Sequence, residues 1–110
     1  MKALLKKSAA SEPFTFSFVD DGGRMIVKSE NYGAKKSAEN GIESVRKNSQ
    51  DDSRYEMLDS KNGKFYFNIK ASNGQIVATS AMFDSDADRA AAASMLKSGA
   101  PAAQLDDQTG

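Results

Sequence analysis

One amphipathic helix can be read directly from the run Ser37-Ala38-Glu39-Asn40-Gly41-Ile42-Glu43-Ser44-Val45-Arg46-Lys47-Asn48. Ala38, Ile42 and Val45 recur at the i, i+4 and i+7 spacing of one buried helical face, and charged side chains occupy the opposite face. Gly41 lies inside this helix, although glycine there costs about 1 kcal/mol relative to alanine. We therefore expect Gly41 to serve packing, at a point where the helix closely approaches the layer beneath it.

The start of this helix lacks a good cap, because Ala34 stands where a serine would be expected and Lys35 and Lys36 oppose the helix dipole. A second helix is predicted to open at Ser85-Asp86-Ala87-Asp88, which has the pattern of a capping box with aspartate in place of glutamate. This helix ends near Ser98-Gly99, where glycine suits the position after the last helical residue.

The segments around the two helices are copies of each other at an offset of 67 − 16 = 51 residues. Residues 16–32 align with residues 67–83 without a gap, and the same offset carries the apolar face of the first helix onto the second. The matched pairs are Phe14 and Phe65, Phe16 and Phe67, Gly23 and Gly74, Ser29 and Ser80, Tyr32 and Phe83, Ile42 and Ala93, and Val45 and Leu96. We interpret this as a tandem duplication of one supersecondary unit.

The remaining segments predict short strands joined by turns. In Phe14 to Phe18, phenylalanines alternate with small polar residues, which is typical of a half-buried antiparallel strand. Further strands are predicted at 2–7, 24–29, 54–58, 64–70 and 75–80, and residues 54–58 lie at the same 51-residue offset from the first strand. Asn62-Gly63 predicts a two-residue hairpin turn. The segment from Ala100 to Gly110 has one large apolar residue, Leu105, and is either a frayed tail or a weak edge strand.

Composition limits the classes of function. At 110 residues the chain makes one domain, and its 15 basic and 15 acidic side chains give a net charge of zero, so nucleic-acid binding is not expected. The sequence has no cysteine and no histidine, which removes thiolate chemistry, the commonest general base and the commonest metal ligand. Its first residues are too short an apolar run for a signal peptide or a membrane span, and we expect a cytoplasmic protein.

No catalytic, metal-binding or cofactor-binding residues are identified. Asp84-Ser85-Asp86-Ala87-Asp88 imitates the start of a calcium loop, but Arg89 stands where the loop needs glycine and Met95 where it needs glutamate. Adjacent aspartates elsewhere fall in predicted turns or the tail. The phenylalanines of the strands lack the neighbouring cations of a nucleotide-stacking platform and are better placed in the core beneath the helices.

One surface remains as a candidate for binding. If the phenylalanines face the helices, then Tyr66, Asn68 and Lys70 point to the other side of the sheet, together with Thr15 and Ser17. A sheet face without helices is either solvated or a partner surface. We therefore name Thr15, Ser17, Tyr66, Asn68 and Lys70 as the candidate partner surface.

The helix motif Ser37 to Asn48 and the segment Asn62-Gly-Lys-Phe-Tyr-Phe-Asn-Ile-Lys-Ala71 resemble the YegP-like family of small bacterial proteins over most of the chain, from about Lys2 to Ser98. The resemblance implies a tandem β-β-β-α-β-type unit, with C-terminal strands exchanged between the halves. It also implies that single-repeat members form the same arrangement as a dimer. The family supplies no catalytic residues. The second helix departs from the motif, with Ala91-Ala92-Ala93 in place of Asn40-Gly41-Ile42.

The sequence thus predicts one α+β domain over residues 1–110, with repeat one at about 2–50 and repeat two at about 53–107. We expect one antiparallel sheet with two helices packed on one face, in a monomer with a pseudo-dimeric fold. Function is predicted to be non-enzymatic, as a protein-interaction or accessory module without a cofactor. The alternative is a small-ligand-binding domain with a site between the two pseudo-symmetric halves.

Overall fold

The computed structural model describes residues 1–109 and folds them into one sheet with two helices. The elements run in the order β1 Lys2–Lys7, β2 Phe14–Val19, β3 Met25–Lys28, α1 Lys35–Asn48, β4 Tyr55–Asp59, β5 Phe65–Lys70, β6 Ile76–Ser80, α2 Asp86–Gly99 and β7 Gln104–Gln108. A short 3₁₀ turn follows each helix, at Asp52–Arg54 and Ala100–Ala102. The α+β class and the two-helix, single-sheet architecture are confirmed.

The sheet has the order β4-β5-β6-β3-β2-β1-β7, so the two halves meet where β3 pairs with β6. This antiparallel seam joins Val27 to Ser80 and Lys28 to Thr79, and it relates the halves by a pseudo-twofold axis. The strand that follows each helix lies at the far edge of the other half, since β4 pairs with β5 and β7 pairs with β1.

The end of the chain corrects the expectation of a wholly antiparallel sheet. Strand β7 pairs with β1 in parallel, so the segment after Ala100 forms an edge strand. The 3₁₀ turn after α2 returns the chain to the end of the sheet where β1 begins, and the Gln104 N–H donates to the Met1 carbonyl at 3.2 Å. From that point β7 can only run in the same direction as β1.

Both helices pack against one sheet face and share one apolar core. Phe16, Phe18 and Phe67 are buried beneath them, together with Val45 of α1 and Leu96 of α2. Phe14 and Phe65, nearer the ends of their strands, are half-buried. The core position predicted for the phenylalanines is confirmed, and burying a side chain of this size stabilises the fold by about 1.5–3 kcal/mol.

Gly41 has the packing role expected from the sequence. A Cβ atom at this position would lie 2.6 Å from Cε2 of Phe16 and 2.8 Å from the hydroxyl of Tyr32. The Tyr32 ring stacks on Phe16, with centroids 6.2 Å apart and an interplanar angle of 13°. The helix therefore lies directly on two aromatic rings where only a hydrogen atom fits.

Both helices begin as the sequence predicts, but the predicted role of Gly99 at the end of α2 is wrong. Ser85 caps α2 by accepting a hydrogen bond from the Asp88 N–H at 3.0 Å, whereas Ala34, in the same extended conformation, gives α1 no side-chain cap from within residues 1–109. Gly99 was expected after the last helical residue and instead is that residue, with φ −102°. A Cβ there would lie 3.0 Å from the Met1 side chain, so Gly99 serves packing.

The Asn62-Gly63 turn is longer than predicted. Among the described residues, positive φ angles occur at Gly23, Gly63 and Gly74, and Asn62 does not adopt one. Each of these glycines closes a three-residue turn: its N–H bonds the carbonyl three residues earlier, as Gly63 does to Ser60 at 3.2 Å. This is a type I turn followed by a left-handed glycine, so the predicted two-residue type is wrong.

The 51-residue offset also changes at β4. Phe16 of β2 pairs with Leu5 of β1, and Phe67 of β5 pairs with Met57 of β4. The residue numbers in β2 and β5 differ by 67 − 16 = 51, whereas those in β1 and β4 differ by 57 − 5 = 52. The connection before β5 spans residues 60–64 and is one residue shorter than the connection at 8–13 before β2. The alignment predicted for 54–58 was therefore wrong by one residue.

Candidate binding surfaces

The sheet face opposite the helices, here called the open face, carries no other element among residues 1–109. Strand pairing places one continuous row of side chains across it, because residues paired between neighbouring strands share a face. From one edge to the other, this row contains Glu56, Asn68, Thr79, Lys28, Ser17, Leu4 and Asp106.

All five sequence-predicted residues lie on the open face, but in two groups. Thr15 and Ser17 belong to β2, whereas Tyr66, Asn68 and Lys70 belong to β5. Strands β3 and β6 lie between them, which separates the groups by about 14 Å at roughly 4.8 Å per strand. The structure brings the residues to one face without making them one contact site.

Asn68 organises this face and is not free for a partner. It is 5% exposed, donates to Oε1 of Glu56 at 3.1 Å and accepts from the Thr79 hydroxyl at 2.8 Å. Lys70 donates to Oε2 of the same glutamate at 2.8 Å. The hydrogen bonds from Lys70 and then Asn68 hold the pKa of the Glu56 carboxyl below its usual value. Of the β5 group, Tyr66 and Lys70 are the half-buried members that a partner can reach.

The strands also place residues here that the sequence analysis did not single out. Leu4 of β1 is half-buried on the open face with Lys2, Lys6 and Lys28 exposed around it, and Leu58 is half-buried on the same face in the edge strand β4. A depression of about 290 Å³ lies beside Leu4, lined by Leu4, Lys6, Thr15, Phe16, Ser17, Val19, Gly23, Met25 and Lys28. The order of residues in Lys2-Ala3-Leu4-Leu5-Lys6 could have indicated this placement. Ala3 and Leu5 are fully buried, and because side chains alternate along a strand, Lys2, Leu4 and Lys6 lie on the opposite face.

In the region between the two halves, where a small-ligand site was the alternative, direct hydrogen bonds join the end of α1 to the end of α2. Arg46 of α1 donates to the carbonyls of Ala100 and Ala103 at 3.1 and 2.8 Å, and Gln50 donates to Lys97 at 2.7 Å. The Tyr55 hydroxyl donates to the Ser49 carbonyl at 2.9 Å, and burial raises the Tyr55 pKa well above its usual value. The helix ends are thus tied together by direct contacts.

A groove runs beside α2, against the turn between β2 and β3. Its floor and walls are apolar and include Met25, Met82 and Met95. It has a volume of about 380 Å³, and its lining is completed by Asp20, Arg24, Ile26, Ala81, Phe83, Asp84, Asp88, Ala91 and Ala92. We call this the methionine groove. The three methionines are far apart in sequence, and no spacing in the chain indicated that they would meet.

The methionine groove continues toward the end of α2. A neighbouring cleft of about 410 Å³ shares Asp20 and Met95 with it and adds Met1, Asp21, Ser98 and Gly99. Carboxylates predominate along the rim, and Asp84 forms an ion pair with Lys64, which lowers the pKa of the Asp84 carboxyl. The arrangement is a long apolar surface with acidic borders.

Two further observations concern the described residues as a whole. Within residues 1–109, no three His, Cys, Asp or Glu side chains converge in a way that could hold a metal ion. Neither helix in that range has the length and apolar character needed to cross a membrane.

Comparison with known proteins identifies relatives of this chain. A family model described as a domain of unknown function, DUF1508, matches residues 9–56 and again residues 60–107, which confirms the tandem duplication. The UPF0339 protein ACIAD0721 of Acinetobacter baylyi is 45% identical over 97 residues, covering 88% of this chain and 87% of that protein. The UPF0339 protein PA0329 of Pseudomonas aeruginosa is 44% identical over 103 residues, covering 94% of each.

The fold has also been observed experimentally in a similar protein. The solution NMR structure of YegP from Escherichia coli, described as a protein of unknown function, superimposes with a TM-score of 0.91 at 39% identity. The match covers 99% of this chain and 93% of that one. A UPF0339 protein of Shewanella oneidensis gives the same TM-score at 38% identity, covering 98% and 91% of the two chains.

Proposed function

This chain belongs to the DUF1508 family, the UPF0339 or YegP-like proteins of unknown function, as the helix motif indicated, and we propose that it is a non-enzymatic protein-interaction module that binds through its open face. The observation that carries the proposal is the composition of that face. Half-buried Leu4, Leu58 and Tyr66 lie on a surface that no helix covers, among exposed lysines.

The charges of the open face indicate what kind of partner fits. Within the strands it carries Lys2, Lys6, Lys28 and Lys70, against the two acids Glu56 and Asp106. Because Lys70 is already paired with Glu56, most of the remaining charge is positive. A protein surface that carries carboxylates complements it, and such charges steer encounter and set specificity.

Nucleic acid is the less suitable partner for this surface. The lysines are few, no arginine lies within the strands of this face, and Tyr66 is its one aromatic residue among those described. Nucleic-acid-binding domains carry a larger basic excess than this chain, whose net charge is zero.

Site-specific photocrosslinking in cells tests the proposal. A benzophenone amino acid replaces Tyr66 on the open face, and in a control variant it replaces Glu39 on the exposed side of α1. We expect one discrete protein adduct from position 66 that is absent from position 39 and survives nuclease treatment. The same adducts from both positions, or no adduct from position 66, would contradict the proposal.

A substitution borrowed from the other repeat tests the role of charge. Lys28 occupies the position that Thr79 has in repeat two, so the fold accepts threonine there. The Lys28→Thr variant is expected to reduce the position-66 adduct several-fold, because one of the steering charges is lost. An unchanged adduct yield would show that the Lys28 charge does not steer this partner.

A further inference from the structure

The methionine groove lies between the β2–β3 turn of repeat one and α2 of repeat two, and the equivalent cleft beside α1 has different side chains although the backbone repeats. At the 51-residue offset, Met82 corresponds to Asn31, Ala91 to Asn40 and Met95 to Ser44. The rim changes as well, with Asp84 replaced by Gly33 and Asp88 by Ser37. The cleft beside α1 is accordingly polar, lined by residues that include Asn40, Ser44 and Asn48. Because repeat one folds with neutral polar side chains at these positions, the fold does not require methionines in repeat two.

The methionines of the groove are unusually exposed for apolar side chains. Met82 is 54% and Met95 45% exposed, whereas Met25 is half-buried and lines both this groove and the depression on the open face. Methionine is flexible and polarizable, so a surface built from it adapts to different apolar side chains.

The rim determines the charge that a partner needs. Asp20, Asp84 and Asp88 border the groove, and Arg24 is the cation in its lining. Asp84 is paired with Lys64, and one oxygen of Asp20 accepts the Gly22 and Arg24 N–H groups at 3.0 and 2.8 Å. Asp21, beyond Asp20, is paired with the N-terminal ammonium at 2.7 Å, and Asp88 is exposed in the first turn of α2. Asp20 and Asp88 form no ion pair among the described residues, so with Arg24 as the unpaired cation the border keeps a net negative charge.

The geometry points to the methionine groove as a docking site for a basic amphipathic helix of a partner protein, whose apolar side contacts Met25, Met82 and Met95 and whose lysines or arginines meet the acidic rim. The groove and its neighbouring cleft follow α2 from Asp88 to Gly99, a stretch of about 18 Å at 1.5 Å per residue. A partner helix of about three turns therefore fits along it. Binding of this kind uses apolar anchors at i, i+3, i+4 and i+7. Met82 and Met95 line the groove and not the open-face depression, so their signals separate this site from the open face, whereas Met25 lines both surfaces.

Methyl NMR with a model peptide tests this inference. The protein is labelled with [methyl-¹³C]methionine, which gives one signal for each of its five methionines. The probe is a 14-residue amphipathic leucine–lysine peptide, compared with a leucine–glutamate peptide of the same pattern and with a scrambled leucine–lysine sequence. We expect saturable shifts at Met25, Met82 and Met95 with the leucine–lysine peptide. Met57, which is 46% exposed at the β4 edge, is the internal control and is expected to stay unchanged.

Substitutions taken from repeat one give matched variants. Met82→Asn with Met95→Ser installs the side chains of Asn31 and Ser44, and it is expected to weaken peptide binding at least about tenfold, as loss of central anchors does. Met57→Thr removes an equally exposed methionine away from the groove and is expected to leave binding unchanged. Asp88→Ser, which installs the Ser37 side chain, tests the rim separately and is expected to weaken binding several-fold, with a shallower salt dependence.

Three results would overturn the inference. They are equal binding of the leucine–glutamate or scrambled peptide, shifts at Met57 as large as those in the groove, and affinity retained within about twofold in both the double methionine variant and Asp88→Ser. Absence of any shift at millimolar leucine–lysine peptide would overturn it as well, since it corresponds to less than about 4 kcal/mol of binding free energy.

Discussion

In the two repeats, the same close contact between the helix and the aromatic rings beneath it is made by different residues. In repeat one, Gly41 lies over Phe16 and the hydroxyl of Tyr32. In repeat two the corresponding residues are Ala92, Phe67 and Phe83, so the helix gains a methyl group where the ring partner loses its hydroxyl. Phe67 contacts the Tyr55 ring instead, with centroids 5.5 Å apart. The pair in contact, and not the glycine alone, determines how closely the helix packs.

This relation predicts the outcome of a double-mutant cycle. Gly41→Ala is expected to lower the free energy of unfolding by about 1 kcal/mol, because an overpacking cost of about 1–3 kcal/mol outweighs a gain of about 1 kcal/mol in helix propensity. Tyr32→Phe in the same chain is expected to recover part of the loss, with a coupling of at least about 0.5 kcal/mol. Urea unfolding of the four proteins measures both values.

The reverse change at the equivalent position provides the control. Ala92→Gly should cost about 1 kcal/mol from propensity alone and show no coupling to Phe83. A Gly41→Ala protein as stable as the parent would show that the Phe16 ring moves aside, although it is 1% exposed. The sequence predicted the packing role of Gly41 from its cost in a helix, but it could not identify the hydroxyl of Tyr32 as the obstructing atom, because that contact joins different elements.

At the scale of elements, the helix caps differ between the repeats. Ala34 and Ser85 are 51 residues apart and have similar extended backbones, with φ/ψ of −128°/142° and −143°/158°. Ser85 accepts a hydrogen bond from the Asp88 N–H, and the alanine side chain has no acceptor. The first turn of α1 therefore leaves donors that a serine at position 34 would satisfy.

Ala34→Ser is accordingly expected to stabilise the protein by about 1 kcal/mol, and Ser85→Ala to destabilise it by a similar amount. Thermal or urea unfolding of both variants checks the prediction. Ala34→Val, which has no acceptor oxygen, is the matched control and should give no gain. If serine and valine at position 34 have the same effect, the cap geometry does not explain the difference between the helices.

Strand alternation predicted most elements but not the bulges. Ile26 and Val27 are adjacent in β3 and are both buried, at 3% and 0% exposed, as are Val77 and Ala78 in β6 at 9% and 2%. The pairing skips Ile26 and Val77, which are again 51 residues apart, so each is an extra residue in its strand. Such a bulge lets neighbouring residues both face the core. A period-two pattern assigns one of them to solvent and cannot detect it.

At the scale of the whole molecule, one ion pair joins the last strand to the first helix. Nζ of Lys35 lies 2.6 Å from Oδ2 of Asp107. The hydrogen bond from Lys35, followed by those from the Thr109 hydroxyl and N–H, lowers the pKa of Asp107 to about 2 from a reference value of 3.8. Since β7 pairs only with β1, this contact is a second attachment for the edge strand.

The lowered pKa predicts how the attachment of β7 depends on pH. A carboxyl with a depressed pKa in the folded state stabilises the protein fully above its unfolded value, and the contribution is lost as pH falls through the folded value. The protection factors of the β7 amides, which correct the exchange rates for their intrinsic pH dependence, are therefore expected to be constant above about pH 5 and to fall between about pH 4 and 2. In Asp107→Asn the component of this change that depends on Asp107 should disappear. An identical pH dependence in both proteins would contradict this role for Asp107.

The distribution of charge is a property that the sequence could not reveal. A net charge of zero was the argument against nucleic-acid binding. That zero is the sum over surfaces of different charge, since the open face carries lysines and the methionine groove is bordered by aspartates. The faces depend on strand register, and a shift of one residue exchanges them. Thr15, Ser17, Tyr66, Asn68 and Lys70 were correctly placed on one face by alternation, but Lys28 and Met82 acquire their neighbours only through the β3–β6 seam and the packing of α2.

The pairing of β1 with β7 affects how the protein is made. On the ribosome β1 emerges before β7, and the residues that will pair with its outer edge follow about a hundred positions later, at Gln104–Gln108. Until then that edge presents unpaired backbone to every other nascent chain in the polysome. Lys2, Lys6 and Lys7 lie along β1, and like charges on neighbouring chains repel one another. These lysines therefore protect the growing polypeptide before they belong to any finished surface.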